Sequence, residues 1–308
     1  MGHRVALVAG TGSRKPGRLF THAAPDNSSL VSRAYRKILF QPLSIRAALR
    51  ADVVHNFGRV DYLWSLLRTN IPIVHTFENP IAQYEVDILL RRQTRLTMVS
   101  VSEHQRREFA GRGNWETVHN AVDVTRLCFA PTPSHSPYLA FLGRLTRNKG
   151  VHLAIAVARK SGIPLKIAGN ISSEPGGQEY FEHEVRPELH GDVQWVGELN
   201  DREKVPFLGG ALALLFPIQW NEPFAVVVGE ALACGTPVIA LKRASTPEAI
   251  CHGKTGFLCE SIEEMVRAVG RIRTIDRRDC RIDAENRLAA SVMAERYVSI
   301  YRRTAGLP

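Results

Sequence analysis

Short apolar runs with the length of β-strands alternate with helical patterns along most of the chain, and this alternation limits the possible folds more than any other feature. One series of runs covers residues 5–10, 52–57, 71–77 and 96–102, and a second covers 138–143, 164–169, 193–198, 213–217 and 237–241. Such alternation is typical of parallel sheets with right-handed helical crossovers. The sequence therefore predicts an α/β protein with two domains, for which 308 residues suffice.

A proline-rich stretch separates the two series. Its sequence, APTPSHSP at residues 130–137, has the composition of an interdomain linker. We therefore expect a first domain at 1–130, a linker at 131–137 and a second domain at 138–285. A further helical pattern runs from about Asp283 to Arg303 and gives a C-terminal segment at 286–308.

Two carboxylates, Glu222 and Glu230, lie eight positions apart inside the otherwise apolar stretch 214–241. Eight residues of α-helix turn through about 800°, so an unbroken helix would not align the two side chains. Proline is tolerated at the first position of a helix, so Pro223 predicts a helix start, with Glu222 in the preceding loop and Glu230 two turns inside. Glu222 is then expected beside free backbone amides, where carboxylates and polar hydroxyls are well accommodated.

The residues around these carboxylates resemble the donor-site signature of the retaining family-four glycosyltransferases of GT-B fold, or glycosyl transferases group 1. The matching residues are NEPF at 221–224, Glu230 and ACGTPVIA at 233–240. The resemblance implies two Rossmann-like, doubly wound domains that face each other across a cleft, with the nucleotide sugar held by the second domain. It also implies that Glu222 contacts the donor sugar and that Glu230 contacts the nucleotide ribose.

A second motif, FLGRLTRNKG at residues 141–150, follows a strand-like run in the second series. Ligands of doubly wound sheets bind at the carboxyl ends of the strands. Gly143 permits close approach of the backbone, while Arg144 and Lys149 offer a planar fork and a point charge to a diphosphate. In the resembled family the matching cations neutralise the leaving nucleoside diphosphate, which implies that neither a metal nor a cofactor is required.

The first domain resembles the family in outline and departs from it in two places. Residues 2–8 resemble the family's second strand, so the first domain is expected to lack the usual first strand. Relatives commonly carry histidine, close to the reacting sugar, at the position that aligns with Glu78. Glu78 is therefore a candidate either for hydrogen bonding to the substrates or for altered chemistry. The segment 286–308 is expected to pack back on the first domain, as it does in the family.

The resemblance thus gives two sets of candidate site residues. The candidate catalytic residues are Glu222, Arg144, Lys149 and Glu78. The candidate nucleotide-sugar-binding residues are Gly143, Arg144, Lys149, Glu222, Pro223, Phe224, Ala225, Val226 and Glu230.

The formal net charge of +10 is concentrated near the N-terminus, where the first 68 residues hold eleven Lys and Arg against three Asp, a net of +8. Five of these cations, Arg33, Arg36, Lys37, Arg46 and Arg50, share a segment with apolar residues. Such a segment fits either a solvated helix face or a surface for anionic lipid or a phosphate-bearing acceptor. The charge is not accompanied by a nucleic-acid-binding motif, so nucleic acid is not an expected partner.

No apolar run is long enough to span a membrane, and no signal-peptide pattern is present. We therefore expect a cytoplasmic protein, with peripheral attachment to the inner membrane face through the basic segment as an open alternative.

These features predict a retaining hexosyl- or N-acetylhexosaminyltransferase of glycan biosynthesis. The donor is expected to be a UDP- or GDP-linked sugar, and the acceptor a hydroxyl of a lipid-linked or glycan molecule. Two alternatives remain open. One is a non-catalytic or partner-dependent nucleotide-sugar-binding protein with an incomplete acceptor site, and assembly as a homo- or hetero-oligomer stays open for every reading. The other is a membrane-surface interaction protein that uses the basic N-terminal quarter.

Overall fold

The computed structural model describes residues 3–10, 13, 18–22, 30–92 and 95–308, and it divides the chain into two compact units. Unit 1 consists of Met1–Val101, Arg106–Val118 and Arg296–Pro308, and unit 2 of Ser102–Gln105 and His119–Glu295. The side chains of Arg33, Arg36 and Lys37 lie outside the described part. Within the part that is described, no helix combines the length and the apolar character needed to cross a membrane.

Unit 1 is built from short strands and helices that follow one another along the chain. In order they are β1 (Ala6–Gly10), β2 (Arg18–His22), α1 (Leu30–Ala48), β3 (Val54–Asn56), β4 (Ile73–Phe77), α2 (Gln83–Arg92), β5 (Leu96–Ser100), α3 (Glu103–Arg106, which begins in unit 2) and β6 (Trp115–Thr117). β1 and β2 pair in parallel, and a second parallel sheet has the order β3-β4-β5-β6.

The core of unit 1 lies against the second of these sheets. Every residue of β4 and β5 is buried, as expected for parallel strands covered on both faces. Helices and 3-10 turns supply the facing side chains, which include Leu63, Leu66, Leu67, Val86, Leu89 and Phe109.

Unit 2 repeats the alternation with a larger sheet. Its elements are β7 (Leu139–Leu142), α4 (Val151–Ser161), β8 (Leu165–Ala168), α5 (Gly177–Tyr180), β9 (Val193–Trp195), α6 (Asp201–Gly209), β10 (Ala213–Phe216), α7 (Val226–Ala233), β11 (Val238–Leu241), α8 (Thr246–Ala249), β12 (Gly256–Cys259), α9 (Ile262–Arg271), α10 (Arg277–Asp283) and α11 (Ala290–Ala305), whose last part belongs to unit 1.

The sheet of unit 2 is parallel and doubly wound. Its order is β12-β11-β10-β7-β8-β9, so the chain builds outward from β7 in one direction and then from β10 in the other. The loops after β7 and β10 therefore leave from adjacent strand ends at the point where the winding reverses. Doubly wound sheets bind their ligands at this point.

All nine predicted strand runs contain a strand of the structure. Among the residues that the structure describes, three strands had no predicted counterpart: β2, β6 and β12. β12 pairs in parallel with β11, the last strand of the second predicted series.

The predicted helix at 283–303 is interrupted. Ala284–Leu288 form a π-helical turn, and α11 begins only at Ala290. The break occurs because Ala289 has extended backbone angles and forms a parallel bridge with Val122. The Val122 amide donates to the Leu288 carbonyl at 2.8 Å, and the Ala290 amide donates to the Val122 carbonyl at 3.1 Å.

The division into units differs from the predicted boundaries. The segment 131–137 lies inside unit 2, and the chain passes between the units after Val118. Residues 119–130 belong to unit 2 because its helices hold their carbonyl groups: Arg281 donates to Leu127 at 2.5 Å and Arg277 donates to Ala130 at 2.8 Å. The segment 286–308 is also divided, between Glu295 and Arg296.

Candidate functional site

The sheet of unit 2 brings the two predicted motifs to one place. The loop after β7 carries Gly143, Arg144 and Lys149, and the loop after β10 carries Glu222 and Phe224. Because β7 and β10 are neighbours, these loops leave adjacent strand ends. The topology therefore explains how residues about seventy positions apart share a site.

A cavity of about 240 Å³ lies between these loops and the start of α7. Seven of the nine predicted binding residues line it: Gly143, Arg144, Lys149, Glu222, Phe224, Ala225 and Val226. The remaining wall is apolar and comes from Phe141, Leu142, Phe216 and Val227. Pro223 and Glu230 are not among the lining residues. A mainly apolar cavity with a few convergent charges has the general character of a ligand-binding site.

Lys149 and Glu222 form an ion pair in this cavity. Lys149 Nζ lies 2.5 Å from Glu222 Oε2, and the two side chains are only 20% and 13% exposed. Trp220 Nε1 donates to the same oxygen at 2.7 Å, and Lys149 Nζ lies 5.5 Å from the centroid of the indole ring. Trp220 therefore orients the carboxylate and also contacts its partner cation. Sequence analysis missed Trp220, although it is only two residues from Glu222.

The two loops are joined by backbone contacts as well. The Gln219 amide donates to the Asn148 carbonyl at 2.8 Å, and Gln219 Nε2 donates to the Arg147 carbonyl at 2.7 Å. Gly150 has a φ of 79°, and a Cβ at this position would lie 2.2 Å from the Pro217 carbonyl oxygen. Glycine is therefore required at position 150 for its backbone angle and also for the close approach of the second loop.

Arg144 forms the second ion pair at the cavity. Its Nη1 atom lies 2.7 Å from Glu174 Oε1, in the loop after β8. These side chains are 51% and 64% exposed, so water screens this pair much more than the Lys149 pair. Glu174 had no role in the predictions from sequence.

Glu230 does not line the cavity and forms an ion pair of its own. Its Oε1 atom is 2.7 Å from Lys204 Nζ, and Lys204 also lies 3.1 Å from Asp201 at the start of α6. Burial disfavours the charged form of Lys204, but the hydrogen bonds and charges of Glu230 and Asp201 outweigh it and raise the pKa of Lys204. The structure thus brings Arg144, Lys149 and Glu222 together and pairs Glu230 with a cation that the sequence analysis did not identify.

The predicted helix start at Pro223 is wrong. α7 begins at Val226 with Ala225 as its N-cap, so Glu230 is the fifth helical residue and lies about one turn inside. The chain before α7 is held in a turn by two hydrogen bonds. The Glu222 amide donates to the Trp220 backbone carbonyl at 2.9 Å, and Ser245 Oγ donates to the Glu222 carbonyl at 3.1 Å.

An aromatic contact supports the wall formed by Phe224. The His119 ring stacks on Phe224 with centroids 4.9 Å apart, and His119 Nε2 lies 3.0 Å from Glu248 Oε2. Glu248 also accepts from the amides of Glu103 and His104 at 2.8 and 2.9 Å. Burial raises the pKa of Glu248, but these hydrogen bonds outweigh burial and lower it below its usual value.

Glu78 belongs to unit 1, where it is partly buried and directly follows β4. Three residues earlier, His75 is 2% exposed and accepts a hydrogen bond of 2.9 Å from Asn56 Nδ2. Burial lowers the pKa of His75 to about 4, so it is a neutral, bonded core residue. The catalytic assignment of Glu78 stays a prediction.

Two family models match the chain. The model described as glycosyl transferases group 1 matches residues 129–286, just over half of the chain, and the model described as Glycosyltransferase Family 4 matches residues 1–126.

Curated relatives match the chain over part of their length. Glycogen synthase of Mycobacterium tuberculosis is 33% identical over 150 residues, which are 46% of this chain and 35% of that protein. Alpha-maltose-1-phosphate synthase of Mycolicibacterium smegmatis is 29% identical over 149 residues, which are 47% of this chain and 38% of that protein. The match therefore spans little more than a third of these relatives.

Solved structures match over nearly the whole chain. Sucrose-phosphate synthase from Thermosynechococcus elongatus has a TM-score of 0.77 and 16% identity, covering 94% of this chain and 84% of that one. HepE from Anabaena in complex with UDP-glucose has a TM-score of 0.70 and 15% identity, covering 96% of this chain and 98% of that one. With the two parallel α/β units, these likenesses confirm the predicted GT-B fold class.

Proposed function

The chain belongs to the glycosyl transferases group 1 family, and from this premise we propose that it transfers a sugar from a nucleoside diphosphate sugar to a hydroxyl acceptor with retention of anomeric configuration. The donor in this proposal is UDP- or GDP-linked, and the transferred sugar is a hexose or an N-acetylhexosamine. The observation that carries the proposal is the cavity of unit 2, where Arg144, Lys149 and Glu222 converge on an otherwise mostly apolar wall.

The charges of this cavity suit a nucleotide sugar. Arg144 and Lys149 offer positive charge to a diphosphate, and both are placed to stabilise the negative charge that develops on it as the sugar departs. In this proposal the two cations take the place of a metal ion. The carboxylate of Glu222 accepts hydrogen bonds from sugar hydroxyls, and that of Glu230 accepts them from the ribose.

A binding experiment tests the donor assignment. UDP, GDP, ADP and their glucose, N-acetylglucosamine and mannose conjugates are added at high concentration, and thermal unfolding is followed. UDP and UDP-glucose come first, because a neighbour of the same fold was solved with UDP-glucose. A ligand at a hundred times its Kd stabilises the folded state by about 2.7 kcal/mol.

Two lysine variants make the binding experiment specific to the cavity. Lys149→Ala removes the less exposed of the two cavity cations and is expected to abolish the stabilisation. Lys160→Ala removes an exposed cation paired with Glu263 at 3.2 Å and is expected to retain it. Stabilisation by no member of the panel would contradict the proposal, as would equal loss in both variants.

Turnover separates the enzyme from the nucleotide-sugar-binding alternative. Slow hydrolysis of the bound donor, followed by NMR, reports both the reaction and the configuration of the released sugar. We expect initial release of the anomer present in the donor, and we expect Glu222→Gln to remove most of the activity while the protein stays folded. Donor binding without any turnover, with or without candidate acceptors, would instead support a binding protein that needs a partner.

A further inference from the structure

Each cation that lines the cavity already holds a carboxylate of the same unit. Lys149 is paired with Glu222 at 2.5 Å, and Arg144 is paired with Glu174 at 2.7 Å. The two ion pairs together carry no net charge. A diphosphate that enters the cavity therefore meets cations whose positive charge is already compensated, and it competes with the two carboxylates for them.

The exchange matters most at Lys149. Its pair with Glu222 is largely buried, and Trp220 donates to the same carboxylate oxygen at 2.7 Å. In a partly buried site a cation gains more from an anion than it does in water. The Glu222 oxygen therefore occupies the place beside Lys149 Nζ that a phosphate oxygen would otherwise take.

We propose that Glu222 is an exchangeable counter-ion of Lys149. The diphosphate displaces Glu222 from Lys149, and the displaced Glu222 then distinguishes the nucleotide sugar from the nucleoside diphosphate. The inference rests on the proposed function. A displaced Glu222 needs new hydrogen-bond donors, because a carboxylate that is largely buried without hydrogen bonds raises the free energy of the protein. Sugar hydroxyls supply such donors while the sugar is present. When only the nucleoside diphosphate remains, Glu222 returns to Lys149 and weakens the binding of that product.

This exchange predicts opposite responses to one substitution. Glu222→Gln removes the competing charge but keeps the shape of the side chain and an oxygen that accepts from Trp220. We expect the variant to bind UDP or GDP about tenfold more tightly than the unsubstituted protein does, the factor of one charge-assisted hydrogen bond. Its affinity for the matching nucleotide sugar is expected to stay equal or fall. The experiment is isothermal titration of each protein with the nucleoside diphosphate and with its sugar conjugate.

A matched control separates the exchange from a simple loss of negative charge. Glu174→Gln removes one carboxylate from the exposed Arg144 pair, and we expect it to change affinity by less than about threefold. The double variant Lys149→Ala with Glu222→Gln is compared with Lys149→Ala alone. We expect it to bind UDP or GDP no more tightly than the single variant does, because no Lys149 cation remains for the substitution of Glu222 to release. If the glutamine variant fails to fold, Glu222→Ala gives a second test, because it also removes the competing charge and is expected to bind UDP or GDP more tightly.

The outcomes distinguish failure of this inference from failure of the proposed function. If the unsubstituted protein binds UDP or GDP but Glu222→Gln binds it no more tightly, or if the gain persists without Lys149, the counter-ion exchange is refuted and the donor assignment stands. If no nucleotide binds, the proposed function fails. Titration with inorganic pyrophosphate then tests the exchange alone. Glu222→Gln is expected to bind pyrophosphate more tightly than the unsubstituted protein does, because the exchange involves the diphosphate and not the nucleoside.

Discussion

At the scale of single residues, Gly150 joins the two loops of the cavity. Its backbone has a φ of 79°, and its Cα faces the Pro217 carbonyl oxygen so closely that a Cβ would lie 2.2 Å away. We expect Gly150→Ala to lower the free energy of unfolding by about 3 kcal/mol, because it adds a steric conflict with backbone to the cost of a left-handed conformation. Denaturant unfolding measures this change.

Gly162 supplies the matched control for this prediction. It also has a left-handed conformation, with a φ of 65°, but nothing lies within 4 Å of a Cβ at its position. Gly162→Ala should therefore cost only about 1 kcal/mol. Equal losses in the two variants would show that contact with Pro217 contributes nothing to stability.

The sequence predicted the main residues of the cavity but not the partners of Arg144 and Glu230. Arg144, Lys149 and Glu222 lie in recognisable motifs that follow strands, so topology alone brings them together. Glu174 and Lys204 come from other loops and helices, and their roles depend on how distant segments pack. Residue type and spacing hold no information about such contacts.

At the scale of secondary-structure elements, α10 fixes the segment that precedes the predicted linker. Arg277 on this helix is 8% exposed and donates to the carbonyls of Ala130, Gly209 and Ala211 at 2.7–2.9 Å. Its guanidinium also donates to Thr236 Oγ1 at 2.8 Å. One side chain thus satisfies four acceptors from three separate segments of unit 2.

Replacing this arginine tests the role of α10. Lysine keeps the charge but lacks the planar fork, so Arg277→Lys leaves several carbonyl groups unsatisfied. We expect a loss of about 3 kcal/mol in the free energy of unfolding. The exposed neighbour Arg278 is the control, and Arg278→Lys should change stability by less than about 0.5 kcal/mol. A small effect at both positions would refute the structural role of Arg277.

The same contacts explain where element boundaries escaped prediction. Prolines at 131–137 indicated a linker, but hydrogen bonds from α10 keep the residues before it inside unit 2. The bridge between Val122 and Ala289 likewise breaks a helix whose sequence pattern is continuous. Long-range hydrogen bonds decided both boundaries, whereas apolar runs sufficed to predict nine strands.

At the scale of the whole molecule, the partly buried His55 and the buried His75 make stability depend on pH. Burial, with a smaller contribution from the nearby His75, lowers the pKa of His55 to about 3, and burial lowers that of His75 to about 4. His55 bridges the hydroxyls of Tyr301 and Thr76 at 2.6 and 2.7 Å, which joins α11 to the sheet of unit 1. The folded protein therefore holds both imidazoles neutral.

The sign of the pH effect follows from proton binding. An unfolded chain protonates histidine near pH 6.5, so below this value the unfolded state binds more protons than the folded state does. Stability is therefore full above pH 6.5 and falls toward pH 5, by up to about 1.4 kcal/mol per pH unit for each histidine. We expect His75→Gln to reduce the slope of the unfolding free energy against pH by the contribution of one histidine. Denaturant unfolding at pH 5–6.5 measures this slope. An unchanged slope would contradict a neutral His75.

The distribution of charge leads to a last prediction. Helix α1 and the turn after it carry two exposed apolar residues, Ile38 and Leu49, which are 67% and 73% exposed, and two exposed cations, Arg46 and Arg50. A helical segment that exposes both apolar and basic residues is typical of binding to anionic lipid. We expect the protein to sediment with vesicles that contain phosphatidylglycerol, but not with pure phosphatidylcholine vesicles, and to be released as salt shortens the Debye length from about 10 Å at 0.1 M to about 3 Å at 1 M.

Paired variants locate the lipid-binding surface. Each cation near an anionic membrane contributes about 1 kcal/mol, so replacing both Arg46 and Arg50 by Gln should weaken vesicle binding about thirtyfold. Replacing the exposed Arg267 and Arg273 of unit 2 removes the same charge and should have little effect. Equal losses in the two double variants would assign binding to net charge alone. Absence of sedimentation at low salt would leave α1 and the turn after it as a solvated surface, because their exposed apolar residues would then have no lipid to contact.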